Sequence, residues 1–164
     1  MMNFTQDTAN KKLHIARTFN APQEKVWKAW TDSTILDQWW GPKPWRAETK
    51  TMDFRVGGIW LYTMVGPDGT NNGMWSKVEF NAIDAPHSFE STNFFCDENG
   101  NHLPAFPNTT HWAVNMKEEN GVTTVNVTLT FDELAGLEKL VAMGFEGGFT
   151  MGLQQLEDLL QETV

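Results

Sequence analysis

The sequence has one cysteine, one tyrosine and few basic residues. The single Cys96 excludes an internal disulfide framework and a cysteine-rich metal site, and one unpaired cysteine is typical of a reducing compartment. The 12 Lys and Arg residues are outnumbered by 21 Asp and Glu residues, which gives a formal net charge of −9 at pH 7. Because no basic run or basic aromatic stripe occurs, the sequence predicts neither a nucleic-acid partner nor a membrane partner.

Long hydrophobic segments are also missing. No run of about 18 apolar residues occurs, so no transmembrane helix is predicted. The N-terminal segment is polar and lacks the apolar core of a secretion signal, and we therefore expect a cytoplasmic protein. Residues 1–12 are interpreted as a loose polar leader and residues 13–164 as a single domain, because this length is sufficient for one hydrophobic core.

The sequence is instead rich in aromatic residues, with 11 Phe and 8 Trp in 164 positions. Such wide rings have two uses in a small domain. They fill a thick core, or they line an interior that accepts an apolar guest molecule. Composition alone does not separate these alternatives.

The C-terminal residues 144–163 are predicted to form a long amphipathic helix. Its apolar side chains recur at spacings of four, four, three and four residues, which places them on one face of a helix. They are Phe145, Phe149, Leu153, Leu156 and Leu160. Because an isolated amphipathic helix is only marginally stable in water, this face needs a partner in the rest of the chain.

Four glycines lie in the first half of this helix: Gly144, Gly147, Gly148 and Gly152. Each glycine in a helix interior costs about 1 kcal/mol relative to alanine. We interpret Gly144 and Gly147 as residues that precede the first helical turn. For Gly148 and Gly152 two explanations stay open. They also precede the first helical turn, or glycine there lets the helix backbone approach a strand closely or leaves room for a guest molecule.

Between residues 13 and 131 the pattern is mainly that of strands. An alternating segment over residues 13–19 is followed by two short helices that contain Trp27 and Trp39. About six strands come next, and Asn120-Gly121 predicts a tight hairpin between the last two. A short helix over residues 134–141 then precedes the long one. One face of such a sheet is apolar and the other polar, as in antiparallel sheets, so the fold class is α+β.

Several short motifs, in a fixed order, resemble a known family. They are Phe19-Asn-Ala-Pro22, Val26-Trp27-Lys-Ala-Trp30-Thr-Asp32, Gln38-Trp39-Trp40-Gly-Pro42, Asp53-Phe-Arg55-Val-Gly57-Gly58, Pro67-Asp-Gly69, Ile83-Asp-Ala-Pro86 and Gly148-Phe149. Together they resemble the bacterial relatives of the C-terminal domain of the activator of heat-shock-protein-90 ATPase, within the START-like (SRPBCC) superfamily. The resemblance extends over nearly the whole chain from about Leu13.

The resemblance implies the helix-grip fold of the major birch-pollen allergen. In that fold a curved antiparallel sheet of about six or seven strands wraps around a long C-terminal helix, two short helices follow the first strand, and an apolar cavity lies between sheet and helix. This chain departs from the family in three ways. Gly148-Phe149 replaces the usual Gly-Trp pair, residues 101–108 form a Pro-rich loop, and these 164 residues leave no room for the N-terminal chaperone-binding domain of the eukaryotic co-chaperone.

The residues expected to face the cavity are mostly aromatic. They are Trp39, Trp40, Trp60, Tyr62, Met64, Trp112, Met116, Phe149 and Leu153. The phenol of Tyr62 can give a ligand one directional hydrogen bond. We predict no cofactor and no metal, because the four histidines are scattered and the acidic group at Asp97-Glu98 is typical of an ordinary turn. The common nucleotide-binding, hydrolase and zinc-protease motifs do not occur.

Three functions are compatible with these features. The first is binding of a small apolar or amphipathic molecule in the cavity. The second is an enzyme similar to cyclase, aromatase or hydrolase relatives on the same fold, which requires that His111 or Glu90 points into the cavity beside Tyr62. The third is an interaction with a chaperone that stimulates its ATPase or serves a stress response. The sequence identifies no interface, so a monomer and a homodimer both stay open.

Overall fold

The computed structural model describes residues 2–71, 73–106 and 109–162. Within these residues the strands are β1 (Met2–Asp7), β2 (Lys12–Phe19), β3 (Arg46–Met52), β4 (Ile59–Val65), β5 (Trp75–Asp84), β6 (Ser88–Cys96), β7 (Thr110–Glu119) and β8 (Val122–Phe131). The α-helices are α1 (Gln23–Thr31), α2 (Ser33–Trp39), α3 (Leu134–Ala142) and α4 (Phe145–Glu162). The predicted helix end at Thr163, part of the turn at Asn72, and the loop positions Pro107 and Asn108 lie outside the described residues.

The described strands form one antiparallel sheet of eight strands in the order β1-β2-β8-β7-β6-β5-β4-β3. Consecutive strands from β3 to β8 are neighbours, so this part of the chain is a meander. The chain crosses to the other side only between β2 and β3, where α1 and α2 make the connection. The predicted α+β helix-grip architecture is confirmed, with two short helices after the strand at residues 12–19.

The sheet has more strands than predicted because the N-terminal segment is part of it. β1 pairs with β2 over six residues, from Met2 opposite Arg17 to Asp7 opposite Lys12. The prediction of a loose leader is therefore wrong for residues 2–7. Backbone hydrogen bonds to a sheet edge do not require apolar side chains, so a polar composition does not exclude a strand there. Phe4 also packs on Phe145 of α4, with ring centroids 6.2 Å apart.

The core lies between the concave face of the sheet and the helices. Alternate side chains of β7 and β8 point inward, and Val114, Val127 and Leu129 are at most 2% exposed. The apolar face of α4 covers them, with Leu153 and Leu156 fully buried. The apolar side chains that the sequence places on one face of each strand and of the helix are therefore buried together, as expected for a sheet with one buried face.

The glycines of α4 differ in what they do. Gly144 has a φ of +85° and separates α3 from α4, so it precedes the helix as predicted. Gly147 lies inside α4, and the prediction that it precedes the first turn is wrong. Gly152 permits a close approach, since a Cβ there would lie 3.2 Å from the carbonyl oxygen of Trp39 and 3.5 Å from that of Trp40.

The contact between α2 and α4 is completed by one glutamine. The side-chain amide of Gln155 donates to the carbonyl oxygens of Trp39 and Gly41 at 3.1 and 2.8 Å, and its Oε1 accepts from the backbone N–H of Lys43 at 2.8 Å. These bonds satisfy backbone groups at the end of α2 that have no partner within the helix. Gly152 and Gln155 together hold α4 against the end of α2.

Candidate functional site

An apolar pocket of about 360 Å³ lies between the concave face of the sheet, α3 and the first half of α4. The sheet contributes Tyr62 and Met64 from β4 and Trp112 from β7, and α4 contributes Phe145 and Phe149. All five side chains are placed by simple periodicity. Alternate residues of a strand share a face, and residues four apart in a helix lie one above the other.

The indole of Trp40 is at the centre of the pocket wall. Its ring centroid lies 5.4 Å from that of Trp60, 5.9 Å from that of Trp112 and 5.8 Å from that of Phe149. Edge-to-face and tilted contacts of this kind are favourable arrangements of aromatic rings. Since each ring is held by several others, the wall is an interlocked aromatic surface.

Polar side chains in the pocket are few, and apart from Lys139 of α3 they lie on the sheet side. Tyr62 is 8% exposed, and its hydroxyl oxygen accepts a 2.8 Å hydrogen bond from Nε1 of Trp40. Ser76 is directly opposite Tyr62 in the β4–β5 pair and also lines the pocket. Asn93 also lines the pocket, and its Oδ1 accepts a 2.7 Å hydrogen bond from the hydroxyl of Ser91.

Burial raises the pKa of the Tyr62 phenol above its ordinary value of 10.0, although the hydrogen bonds from Trp40 and Ser76 act in the opposite direction. The phenol therefore stays protonated in the pocket at neutral pH, as a neutral hydrogen-bond donor and acceptor.

The raised pKa predicts a loss of stability at alkaline pH. As pH rises past about 10, the phenol ionises first in the unfolded chain, so the folded state binds more protons and the free energy of unfolding falls until the folded pKa is reached. Tyr62 is the only tyrosine, so the phenolate absorbance reports this group alone. We expect a higher titration midpoint in native protein than in urea-unfolded protein. Equal midpoints would contradict a buried phenol, and Tyr62→Phe supplies the baseline.

The mouth of the pocket lies between α3 and the loop after β6. Lys139 of α3 donates from Nζ to the carbonyl oxygen of Ala105 at 2.6 Å, and its ammonium lies 4.1 Å from the ring centroid of Phe106. Trp45 and Met143 also line the pocket and are 40% and 48% exposed. The rim therefore combines a tethered cation with exposed apolar surface.

Five of the nine residues predicted to face the interior line this pocket. They are Trp40, Tyr62, Met64, Trp112 and Phe149. The sequence prediction missed the whole contribution of α3 and three polar side chains of the sheet, Ser76, Asn93 and Thr110. These three were recognisable, because each lies in phase with inward apolar residues of its own strand, but a polar residue in such a position is usually assigned to a strand end.

The other four predicted residues lie in the core, outside the pocket lining. Trp39 is 0% exposed and donates from Nε1 to the carbonyl oxygen of Ala29 at 2.9 Å. Trp60 is covered by neighbouring rings, and its Nε1 donates to Thr49 Oγ1 at 3.0 Å. The remaining two, Met116 and Leu153, lie too far along their strand and helix to reach the pocket. Met116 lies four residues beyond Trp112, or about 13 Å along the strand, and Leu153 lies one helical turn beyond Phe149.

His111 and Glu90 do not line the pocket. His111 Nε2 and Glu90 Oε1 lie 3.0 Å apart, and the two side chains are 44% and 50% exposed. His111 alternates with Trp112, which points inward, so the pair lies on the outer face of the sheet. The condition that the enzyme hypothesis set for these two residues is not met.

The polar side chains of the acidic turn after β6 interact with other groups of the protein. The Asp97 carboxylate accepts from backbone N–H groups of its own turn and from Asn101, which lowers the pKa of Asp97. Glu98 lies 3.4 Å from the Nζ of Lys50, and His102 stacks on Phe94 with ring centroids 3.9 Å apart. Among the described residues, no group of three or more His, Cys, Asp or Glu side chains is arranged to hold a metal ion.

Residues 20–161 match the family model described as "Activator of Hsp90 ATPase homolog 1-like protein". The chain belongs to this family. The resemblance inferred from the motifs is confirmed, and it extends over both the sheet and the C-terminal helix that form the pocket. The family description refers to an Hsp90 ATPase, and for this chain an effect on a chaperone stays a prediction.

Solved structures of bacterial proteins have the same fold. A protein from Arthrobacter aurescens is 31% identical, with a TM-score of 0.89 and coverage of 99% of this chain and 92% of that one. Protein Ms6760 from Mycobacterium smegmatis is 29% identical, with a TM-score of 0.87 and coverage of 96% and 95%. The AHSA1 protein from Silicibacter pomeroyi is 21% identical, with a TM-score of 0.71 and coverage of 93% and 99%, and this likeness concerns the fold alone.

No curated protein gives a significant match to the chain. Across the described residues, no helix combines the length and the apolar character that crossing a membrane requires.

Proposed function

We propose that this protein binds a small apolar or amphipathic molecule in the pocket between the sheet, α3 and α4. The observation that carries the proposal is the pocket itself, about 360 Å³ in volume and walled mainly by aromatic and aliphatic side chains. Its volume falls in the range of roughly 300–1,000 Å³ that is typical of small-molecule sites. Burial of apolar ligand surface contributes about 25 cal/mol per Å², so contact with these walls supplies most of the affinity.

The chemistry of the pocket favours binding over acid–base catalysis. Among the described residues that line it, the titratable side chains are Tyr62 and Lys139. The phenol pKa is raised, so Tyr62 is a weak acid and no base at neutral pH. Lys139 lies on the exposed rim, where it donates to Ala105. Acid–base catalysis needs an acid or base beside the reacting group, and neither side chain is suited to that role.

Gly148 lies beside open space in the pocket, so a larger side chain at this position tests the proposed site. A Cβ at Gly148 would meet only the ring of Pro42, at 3.7 Å, and Gly148 lines the pocket. We expect Gly148→Leu to place an isobutyl group in the pocket and to weaken binding of the neutral dye phenylnaphthylamine about tenfold or more. Dye fluorescence on titration with protein measures the affinity, and displacement by long-chain alcohols or polyaromatic compounds measures the ligand range.

Gly147→Leu is the matched control. Gly147 is exposed on the same helix, and a Cβ there meets nothing within 4 Å. Both substitutions exchange glycine for leucine in α4, so they change helix propensity in the same direction. Only Gly148→Leu should reduce dye binding. If the wild-type protein takes up no dye, or if both variants bind it as the wild type does, the pocket is not the binding site.

A further inference from the structure

Four polar side chains form a row across the sheet wall of the pocket. They come from four neighbouring strands: Tyr62, Ser76, Asn93 and Thr110. Tyr62 is directly opposite Ser76 in the β4–β5 pair, and Asn93 is directly opposite Thr110 in the β6–β7 pair. We call these residues the polar row. Directly opposite side chains of an antiparallel pair lie about 5 Å apart, so one ligand group can reach both members of a pair. The two pairs are offset along the sheet, because Ser76 is opposite Phe95 and Asn93 is opposite Val78 in the β5–β6 pair.

The Tyr62 end of the polar row offers a hydroxyl hydrogen. The phenol oxygen accepts the Nε1–H of Trp40 at 2.8 Å. A phenol both accepts and donates, so this bond leaves the O–H of Tyr62 to donate to another group. The Ser76 hydroxyl lies directly opposite in the β4–β5 pair, and if Tyr62 donates to it, the O–H of Ser76 remains as the donor.

The Asn93 end of the polar row offers an amide. Oδ1 of Asn93 accepts from the Ser91 hydroxyl at 2.7 Å, and Ser91 is only 1% exposed. This partly buried bond orients the side-chain amide so that Oδ1 is engaged by Ser91 while the NH₂ group, with two hydrogens, remains as a donor. The polar row therefore offers neutral donors to the pocket.

We propose that the ligand is an uncharged apolar molecule that carries one hydrogen-bond-accepting oxygen, such as a ketone, and that this oxygen accepts from the polar row at its Tyr62 end or at its Asn93 end. The inference rests on the binding function proposed above. An apolar ligand without an acceptor leaves the donors of the polar row without a partner, which is costly when they are buried. A carboxylate is disfavoured, because the pocket's cation is Lys139, which lies on the exposed rim and donates to Ala105, and the protein has a net charge of −9.

Three tricyclic probes of almost equal shape test this proposal: fluorenone, fluorene and fluorene carboxylate. Their affinities are measured by displacement of phenylnaphthylamine and corrected for partitioning between water and octanol. We expect wild-type protein to bind fluorenone about tenfold more tightly than fluorene, the ratio that one well-made hydrogen bond produces, and to bind the carboxylate most weakly. The infrared carbonyl stretch of bound fluorenone should lie below its frequency in hexane, as expected when donors contact the oxygen.

The double variant Tyr62→Phe/Asn93→Leu removes two donors of the polar row, one at each end. We expect the fluorenone-to-fluorene preference to fall at least threefold. It should not disappear, because the hydroxyls of Ser76 and Thr110 remain and the Trp40 N–H becomes free to donate. Fluorene affinity should stay within about threefold of wild type, since the apolar walls remain. Asn115→Leu is the control, because Asn115 is exposed on β7 and does not line the pocket.

The outcomes are separable. Equal affinity for fluorenone and fluorene, together with an unshifted carbonyl stretch, overturns this inference and leaves the binding function standing. Tighter binding of the carboxylate than of the ketone overturns it in favour of an anionic ligand held at the rim. Failure of all three probes and of the dye to bind overturns the binding function and this inference with it. The wild-type affinities and the infrared measurement decide the matter even if the double variant does not fold.

Discussion

Replacement of Trp39 by alanine is expected to lower the free energy of unfolding by about 3–5 kcal/mol, the usual cost of removing a large aromatic side chain from a core. Trp39 is 0% exposed, and its ring lies 5.1 Å from that of Trp30 and 5.3 Å from that of Trp40. The substitution also removes the donor that bonds the Ala29 carbonyl at 2.9 Å. Since domains are stable by only about 5–15 kcal/mol, urea unfolding should show the loss clearly.

Trp45→Ala is the control for this experiment. Trp45 is 40% exposed on the rim of the pocket, so we expect its removal to change the free energy of unfolding by no more than about 1 kcal/mol. If Trp39→Ala is too unstable to purify, Trp39→Phe keeps most of the ring contacts and should show a smaller loss of the same sign. A result in which Trp39→Ala unfolds like the wild type but no longer binds dye would place Trp39 in the site instead of the core.

The second large effect is expected from Gly152→Leu. A Cβ at this position already lies 3.2 Å from the Trp39 carbonyl oxygen, and the other atoms of a leucine have no space between α4 and the end of α2. The obstacle is backbone, which cannot rotate away as a side chain can. We expect the free energy of unfolding to fall by about 3 kcal/mol, at the upper end of what overpacking costs, with loss of the two hydrogen bonds that Gln155 donates to the end of α2.

Gly147→Leu is expected to have the opposite sign. Gly147 is exposed and open, so a leucine there meets no obstacle and gains helix propensity of roughly 0.5–1 kcal/mol. Thermal and urea unfolding of both variants, measured side by side, give the comparison. Equal effects at Gly147 and Gly152 would show that helix propensity, and not the approach of α2, explains the glycine at Gly152.

The sequence was sufficient for most of the fold because the fold depends on periodicity. Alternation along β8 and the recurrence from Phe149 to Leu160 along α4 each identify a buried face without any knowledge of its partner. β1 was missed for the same reason. Its inward face has only two apolar residues, Met2 and Phe4, which are partly buried, and the other four residues are polar. Two apolar positions are too few for a periodic signal, and the backbone pairing to β2 that orders the strand leaves no composition signal.

The pocket was predictable only in part. Trp40, Tyr62 and Phe149 were identified because aromatic residues on inward faces are candidates for any apolar interior. Trp39 and Met116 satisfy the same rule and lie in solid core. The rule finds the inward face and gives no information on which part of that face is covered by other side chains.

The sequence by itself determined the α+β class and the faces of the sheet and helix that turn inward, because these follow from local spacing of side chains. Its short motifs indicated the family by resemblance. Tertiary structure alone decided where the interior stays open. The end of α2 meets α4 at Gly152, whereas the space bordered by α3, the loop at Phe106 and the sheet is not filled by side chains. That separation is set by contacts between residues far apart in the chain, and no local pattern encodes it.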